Sequence, residues 1–168
     1  FMVGGSARVA AVEARSDWLA ESRPACGELD PVTRRALADA WQNDACMEHA
    51  SIASFARFTL ELLGFGAPPA LVAGCQRASL DEIEHARMCY ALASSFDGRE
   101  LGPGVLDVGA ELSRSLAHSA VAALEEGCIG ETIAALSARE QLLGAEDPQV
   151  RSALQRIAED EERHAELA

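Results

Sequence analysis

The sequence predicts an all-α fold: a bundle of four helices with one long crossover between the second and the third. Three observations carry this reading. The chain of 168 residues is 49% hydrophobic but only 5% aromatic, and its apolar residues are mostly Ala and Leu, which favour packed helices over sheets. An Asp–Pro pair occurs twice, at Asp30–Pro31 and Asp147–Pro148. Each marks a helix start, with Asp as the cap and Pro at the first helical position. Gly- and Pro-rich breaks divide the intervening sequence into long helical segments.

In chain order, residues 1–29 form a leader segment to which no structure is assigned, and residues 30–168 form the helical domain. The first helix runs over about 31–64 and stops at "GFGAPP", where Gly64, Gly66 and two prolines break it. The second covers about 68–96. "FDGRELGPGVLD" opens a turn-rich connection of roughly 15 residues, long for two simple antiparallel neighbours. The third helix is expected over about 108–143 and ends at "GAEDP"; the fourth covers 148–168. Short loop, long crossover, short loop is the connectivity of a bundle with one crossover. A twofold internal repeat is also visible, because Pro69 precedes Glu82 by 13 residues and Pro148 precedes Glu161 by 13.

A net charge of −13 argues against nucleic acid and anionic membrane surfaces as partners. No apolar run reaches the length of a transmembrane helix. The start, "FMVGGSARVA", lacks the charged and apolar regions of a signal peptide, and an export signal ahead of Phe1 is left open. Cys26, Cys46, Cys75, Cys89 and Cys128 are odd in number and contain no CxxC. They read as small buried side chains in a reducing, cytoplasmic compartment.

Helical periodicity separates the acidic residues into two groups. Residues at offsets of 3, 4, 7 and 11 share a face. Trp41, Ala45, Ile52, Phe55 and Thr59 surround Glu48 in this way. Leu71, Cys75, Ala78, Ala86 and Cys89 surround Glu82, with His85 beside it. Leu154, Ile157, Ala158 and Ala165 surround Glu161, with His164 beside it. Glu84, Glu159, Glu162, Arg57, Arg77, Arg87 and Arg156 fall on other faces and read as solvated. An unpaired buried carboxylate is costly, so Glu48, Glu82 and Glu161 must be protonated, paired or metal-bound. Their stripes offer only His85 and His164 as basic partners, which favours metal over structural ion pairs.

The third helix offers Glu125, Glu126 and Glu131. Glu125 shares a polar face with His118 and Arg139. Glu126 fits the internal repeat: Glu48 lies 21 residues before Pro69, and Glu126 lies 22 before Pro148. Glu131 sits in the better apolar stripe, among Leu124, Gly127, Cys128, Ala134, Ala135, Ala138 and Leu142. Glu126 is taken as the ligand, and Glu131 as an outer group or alternative ligand.

The set Glu48, Glu82-x-x-His85, Glu126 and Glu161-x-x-His164 resembles the ferritin-like superfamily of dimetal carboxylate proteins. Their signature is one Glu from each of two helices and ExxH from each of the other two. The resemblance spans roughly residues 31–168 and implies two iron ions as cofactor, with manganese or a mixed Mn/Fe pair as alternatives. It implies an oxidoreductase that activates O2 or peroxide at a buried dinuclear site and acts on a small molecule. A ferroxidase or iron-handling role is the alternative within the same site, and a non-catalytic helical interaction bundle is the alternative outside it. A homodimer is left open.

Overall fold

The computed structural model describes residues 1–3, 5–21, 24, 29–109 and 112–168. Most of the chain is helical. Helix α1 spans Pro31–Gly64 and α2 spans Pro69–Asp97. A third helical segment runs without interruption through α3 (Leu116–Ala122), a π-helical stretch (Ala123–Gly130) and α4 (Glu131–Gly144). Helix α5 spans Pro148–Leu167. Among the described residues no helix is long and apolar enough to cross a membrane.

The helix starts follow from local chemistry. Asp30 accepts from the amides of Val32 (2.9 Å) and Thr33 (3.1 Å), and Asp147 from those of Gln149 (2.8 Å) and Val150 (3.2 Å). These bonds satisfy amides that a helix leaves unpaired at its first turn. Helix α2 stops at Gly98, whose φ of 83° suits a residue without Cβ.

Helix α1 packs along α2, α4 along α5, and α2 against α5. The short connections 65–68 and 145–147 make each of the first two pairs a helical hairpin. The larger core cluster gathers Trp41, Ala45, Ala86, Cys89, Tyr90, Leu92, Phe96, Leu154 and Ile157. Alanines dominate its remainder and let the helices approach closely. Where α5 crosses α2, a Cβ on Gly74 would lie 2.6 Å from Leu167 Cδ1.

The crossover differs from expectation. The third helical segment begins at Leu116 rather than near 108, because Ser115 caps it through the His118 amide (3.3 Å). Ahead of it, Leu101–Pro103 forms a short strand that pairs antiparallel with Val12–Ala14 of the leader. A second small ladder joins Met2–Val3 to Ser6–Ala7. The leader also lies on α2: the Ala20 amide donates to the Arg87 carbonyl at 3.2 Å, and Leu19 joins the core. Cys46, Cys75, Cys89 and Cys128 are free thiols; Cys26 lies outside the described residues.

Candidate metal centre

Because α2 packs directly on α5, their two Glu-x-x-His pairs face each other. Glu82, His85, Glu161 and His164 are all buried, while Glu48 from α1 and Glu131 from α4 are partly so. Nδ1 of His85 lies 3.1 Å from Oε1 of Glu161 and 3.5 Å from Oε2 of Glu48. Nδ1 of His164 lies 3.0 Å from Oε1 of Glu82 and 3.6 Å from Oε2 of Glu161. The tilted imidazole rings have centroids 6.1 Å apart.

Two groups of possible metal ligands result. One is Glu48, Glu82, His85 and Glu161; the other is Glu82, Glu131, Glu161 and His164, and in each the ligand atoms lie within 4.8 Å of one another. Glu82 and Glu161 belong to both, so these two are positioned to bridge a pair of ions. The spacing suits metal ligation. Two atoms each about 2.1 Å from an ion, at right angles, lie about 3.0 Å apart. The short imidazole–carboxylate contacts match that figure.

The hydrogen-bond inventory points the same way. Of the six buried side-chain atoms without an aligned hydrogen bond among the described residues, five are in this cluster: both oxygens of Glu82, Oε2 of Glu161 and Nδ1 of His85 and of His164; the sixth is His49 Nδ1. Leaving buried polar atoms without aligned hydrogen bonds costs stability, and here only imidazole–carboxylate charge pairing offsets it. All five belong to the two groups. The residues present therefore fit a pair of divalent cations, with four carboxylate charges to balance two dications.

The far side of each imidazole is also held. Nε2 of His85 lies 2.9 Å from Oδ2 of Asp160, and Nε2 of His164 lies 3.3 Å from Oδ2 of Asp81. Each aspartate precedes the Glu of the opposite helix's pair, so the support is exchanged between α2 and α5. A carboxylate on Nε2 turns the Nδ1 lone pair toward the centre and raises its basicity. Asp160 is further paired with Arg163. Sequence reasoning missed both aspartates, although the dipeptide Asp–Glu stands ahead of the histidine in both pairs.

Among the described residues, Glu131, the alternative ligand, lies in a possible ligand group, and Glu126, the expected ligand, does not. Glu131 joins the second group, whereas the Glu126 carboxylate accepts from Arg57 (2.6 Å) and Ser54 Oγ (2.9 Å). Arg57, expected to be solvated, is thus part of an inter-helix ion pair. The cause lies in the intervening backbone. A π-helix closes its turn with i→i+5 bonds, so residues five apart come onto nearly one face, and α-helical phase does not carry across 123–130. The internal repeat also breaks here. Helix α1 continues 16 residues past Glu48 to Gly64, and α4 only 13 past Glu131 to Gly144. Counting back from Pro148 with the α1 spacing therefore lands about one turn too early.

Metal-free, the cluster is neutralised by protons. Burial, with Glu48 and Glu161 nearby, pushes the Glu82 carboxyl well above the usual carboxylate range. Burial and the neighbouring Glu161 and Glu82 push Glu131 up to about 11. Burial alone would lower His85, but Asp160, Glu161 and Glu48 overcome it, and the imidazole is pushed up to about 12. His164 is raised against burial by Glu161, Glu131 and Asp81. Glu161 runs the other way: burial opposes its charge, yet His164 and His85 hold it well below the usual range.

Gly127 serves close packing, since a Cβ there would lie 2.5 Å from Ala168 Cβ. It also lines a cavity of about 40 Å³ that reaches Glu131 and His164 between Phe55, Phe58 and Ala123. That is room for a water or a diatomic molecule.

Comparison with protein-family models, with curated proteins and with solved structures gave no match.

Proposed function

We propose that the chain is a ferritin-like four-helix bundle holding two divalent ions, most suitably iron, and that it acts as an oxidoreductase toward O2 or peroxide. The observation that carries this reading is the convergence of five buried polar atoms of Glu82, His85, Glu161 and His164, none in an aligned hydrogen bond, within the two ligand groups. Four carboxylates with two imidazoles suit iron or manganese among first-row ions.

In this reading Glu48 and His85 would hold one ion and Glu131 and His164 the other, with Glu82 and Glu161 available to both. When bound, iron would supply the redox chemistry that O2 or peroxide activation needs. The chain supplies the rest. Asp160 and Asp81 fix the imidazole orientations. Phe55 and the alanines of the core keep bulk water from the centre. The cavity beside Glu131 leaves space for a small oxidant.

Iron handling is a second reading of the same site, favoured by the net charge of −13, which concentrates cations at the surface. Anaerobic loading with Fe(II), followed by admission of O2, tests both. The proposal expects about two Fe(II) per chain, O2 consumed in proportion to the iron, and repeated turnover once a reductant is supplied. Growth of a ferric mineral instead selects iron handling. Iron that remains unbound, or bound iron inert to both O2 and peroxide, overturns the proposal.

A further inference from the structure

Helices α1 and α4 make little contact with each other, and a cavity of about 200 Å³ opens between them. It reaches inward to Glu48 and Cys89, the latter fully buried. A dry cavity of about 150 Å³ is known to accept benzene, so this one has room for a single ring with a short substituent. Trp41, Ala138, Leu154 and Ile157 give it apolar, buried walls.

Its charged groups, among the described residues, have one sign, beside the neutral Ser137 and Gln141. Asp44 stands one turn before Glu48 on α1, and both carboxylates line the cavity, whereas no Lys or Arg does so. Burial and the Glu48 charge push the Asp44 carboxyl upward, against the opposing hydrogen bond of the Asn43 side chain. With Glu48 charge-balanced by a bound ion, Asp44 is left as a carboxylate on this wall with no Lys or Arg among the described lining residues. An ammonium group would supply the missing cation, and the face of an indole favours it further.

We propose that this cavity binds a primary amine built on a single ring, with the ammonium on Asp44 and the ring between Trp41 and Ile157. The inference rests on the dimetal reading, since a molecule seated there lies against Glu48 and is the organic substrate of that centre.

The test uses protein loaded with Zn(II), which is redox-silent, and measures its zinc content. In Trp18→Phe, Trp41 is the single remaining tryptophan and reports on the cavity. Benzylamine should change its emission saturably and bind on the order of tenfold more tightly than benzyl alcohol, with benzoate weaker still. Asp44→Asn should erase the preference for amine over alcohol, and Ala138→Phe should abolish both while zinc content is retained. If Ala138→Phe does not fold, Asp44→Asn decides alone. Equal affinity for amine and alcohol, or amine affinity unchanged in Asp44→Asn, overturns the inference even when two zinc ions are bound. If zinc fails to bind but benzylamine still requires Asp44, the cavity assignment stands and the dimetal reading falls.

Discussion

Nδ1 of His85 on α2 faces Oε1 of Glu161 on α5 at 3.1 Å, and the reciprocal contact, His164 Nδ1 to Glu82 Oε1, is 3.0 Å. Each helix thus presents its imidazole to the other's carboxylate. The two Asp–His contacts behind the rings repeat the exchange. The centre is consequently built across the α2–α5 contact, with α1 and α4 each closing one side through a single glutamate.

The assignment of Glu131 over Glu126 gives the first prediction. Glu131→Ala should reduce metal binding from about two ions per chain to about one, because the ion beside His164 loses a ligand that no neighbour replaces. Glu126→Ala should leave stoichiometry unchanged and cost stability through the lost partner of the half-buried Arg57. Metal content of the two purified variants, measured together with thermal melts, checks this. Equal stoichiometries would remove Glu131 from the centre.

The aspartates behind the histidines give the second. Asp160→Asn should keep the fold but lower metal affinity on the order of 10–100-fold, as loss of an outer carboxylate on a ligating histidine does elsewhere. Asp81→Asn should act in the same direction at His164, with a smaller effect because its contact is longer. Competition with a coloured chelator reads both. Affinities within error of the parent would show that the two aspartates only balance nearby arginines.

The pH dependence gives the third. Folded, metal-free Glu131 and His85 hold protons that the unfolded chain releases near 4.5 and 6.5. Where the folded state binds more protons, stability falls as pH rises. The His85 contribution is fully present below 6.5 and is lost toward about 12; the Glu131 carboxyl resists ionisation up to about 11. Both act in the same direction between those limits, by up to about 1.4 kcal/mol per pH unit each. The melting temperature of the metal-free protein should therefore fall between about pH 6 and about pH 9. Metal loading should reverse the slope, since ligands must shed protons to bind. Titration of Zn(II) in buffers of different ionisation enthalpy should detect release of up to about four protons, from Glu82, Glu131, His85 and His164. A metal-free melting temperature that rises over the same range contradicts the proton distribution described here.

Much of this was legible in the sequence where the signal is local. Asp30–Pro31 and Asp147–Pro148 mark helix starts at the residues where they occur, and the ends at Gly64 and Asp97 fall within a residue of the expected ones. Glu48, Glu82, His85, Glu161 and His164 could be singled out because each stands in an apolar stripe of an uninterrupted α-helix. Glu131 could not be separated from Glu126 because the π-helical stretch between them changes the turn and the repeat spacing. The pairings His85–Asp160 and His164–Asp81 join residues 75 and 83 positions apart, and helical phase says nothing about such partners. The short strands of the leader and crossover have two or three residues each, too few to show alternation.

The most direct test is a crystal grown with excess Mn(II) and examined by anomalous scattering at the manganese edge. The account predicts two peaks per chain, about 3.5–4 Å apart, one beside His85 and Glu48, the other beside His164 and Glu131, with Glu82 and Glu161 touching both. An anomalous map without density at this centre, with the imidazoles and carboxylates bonded only to one another and to water, would contradict it.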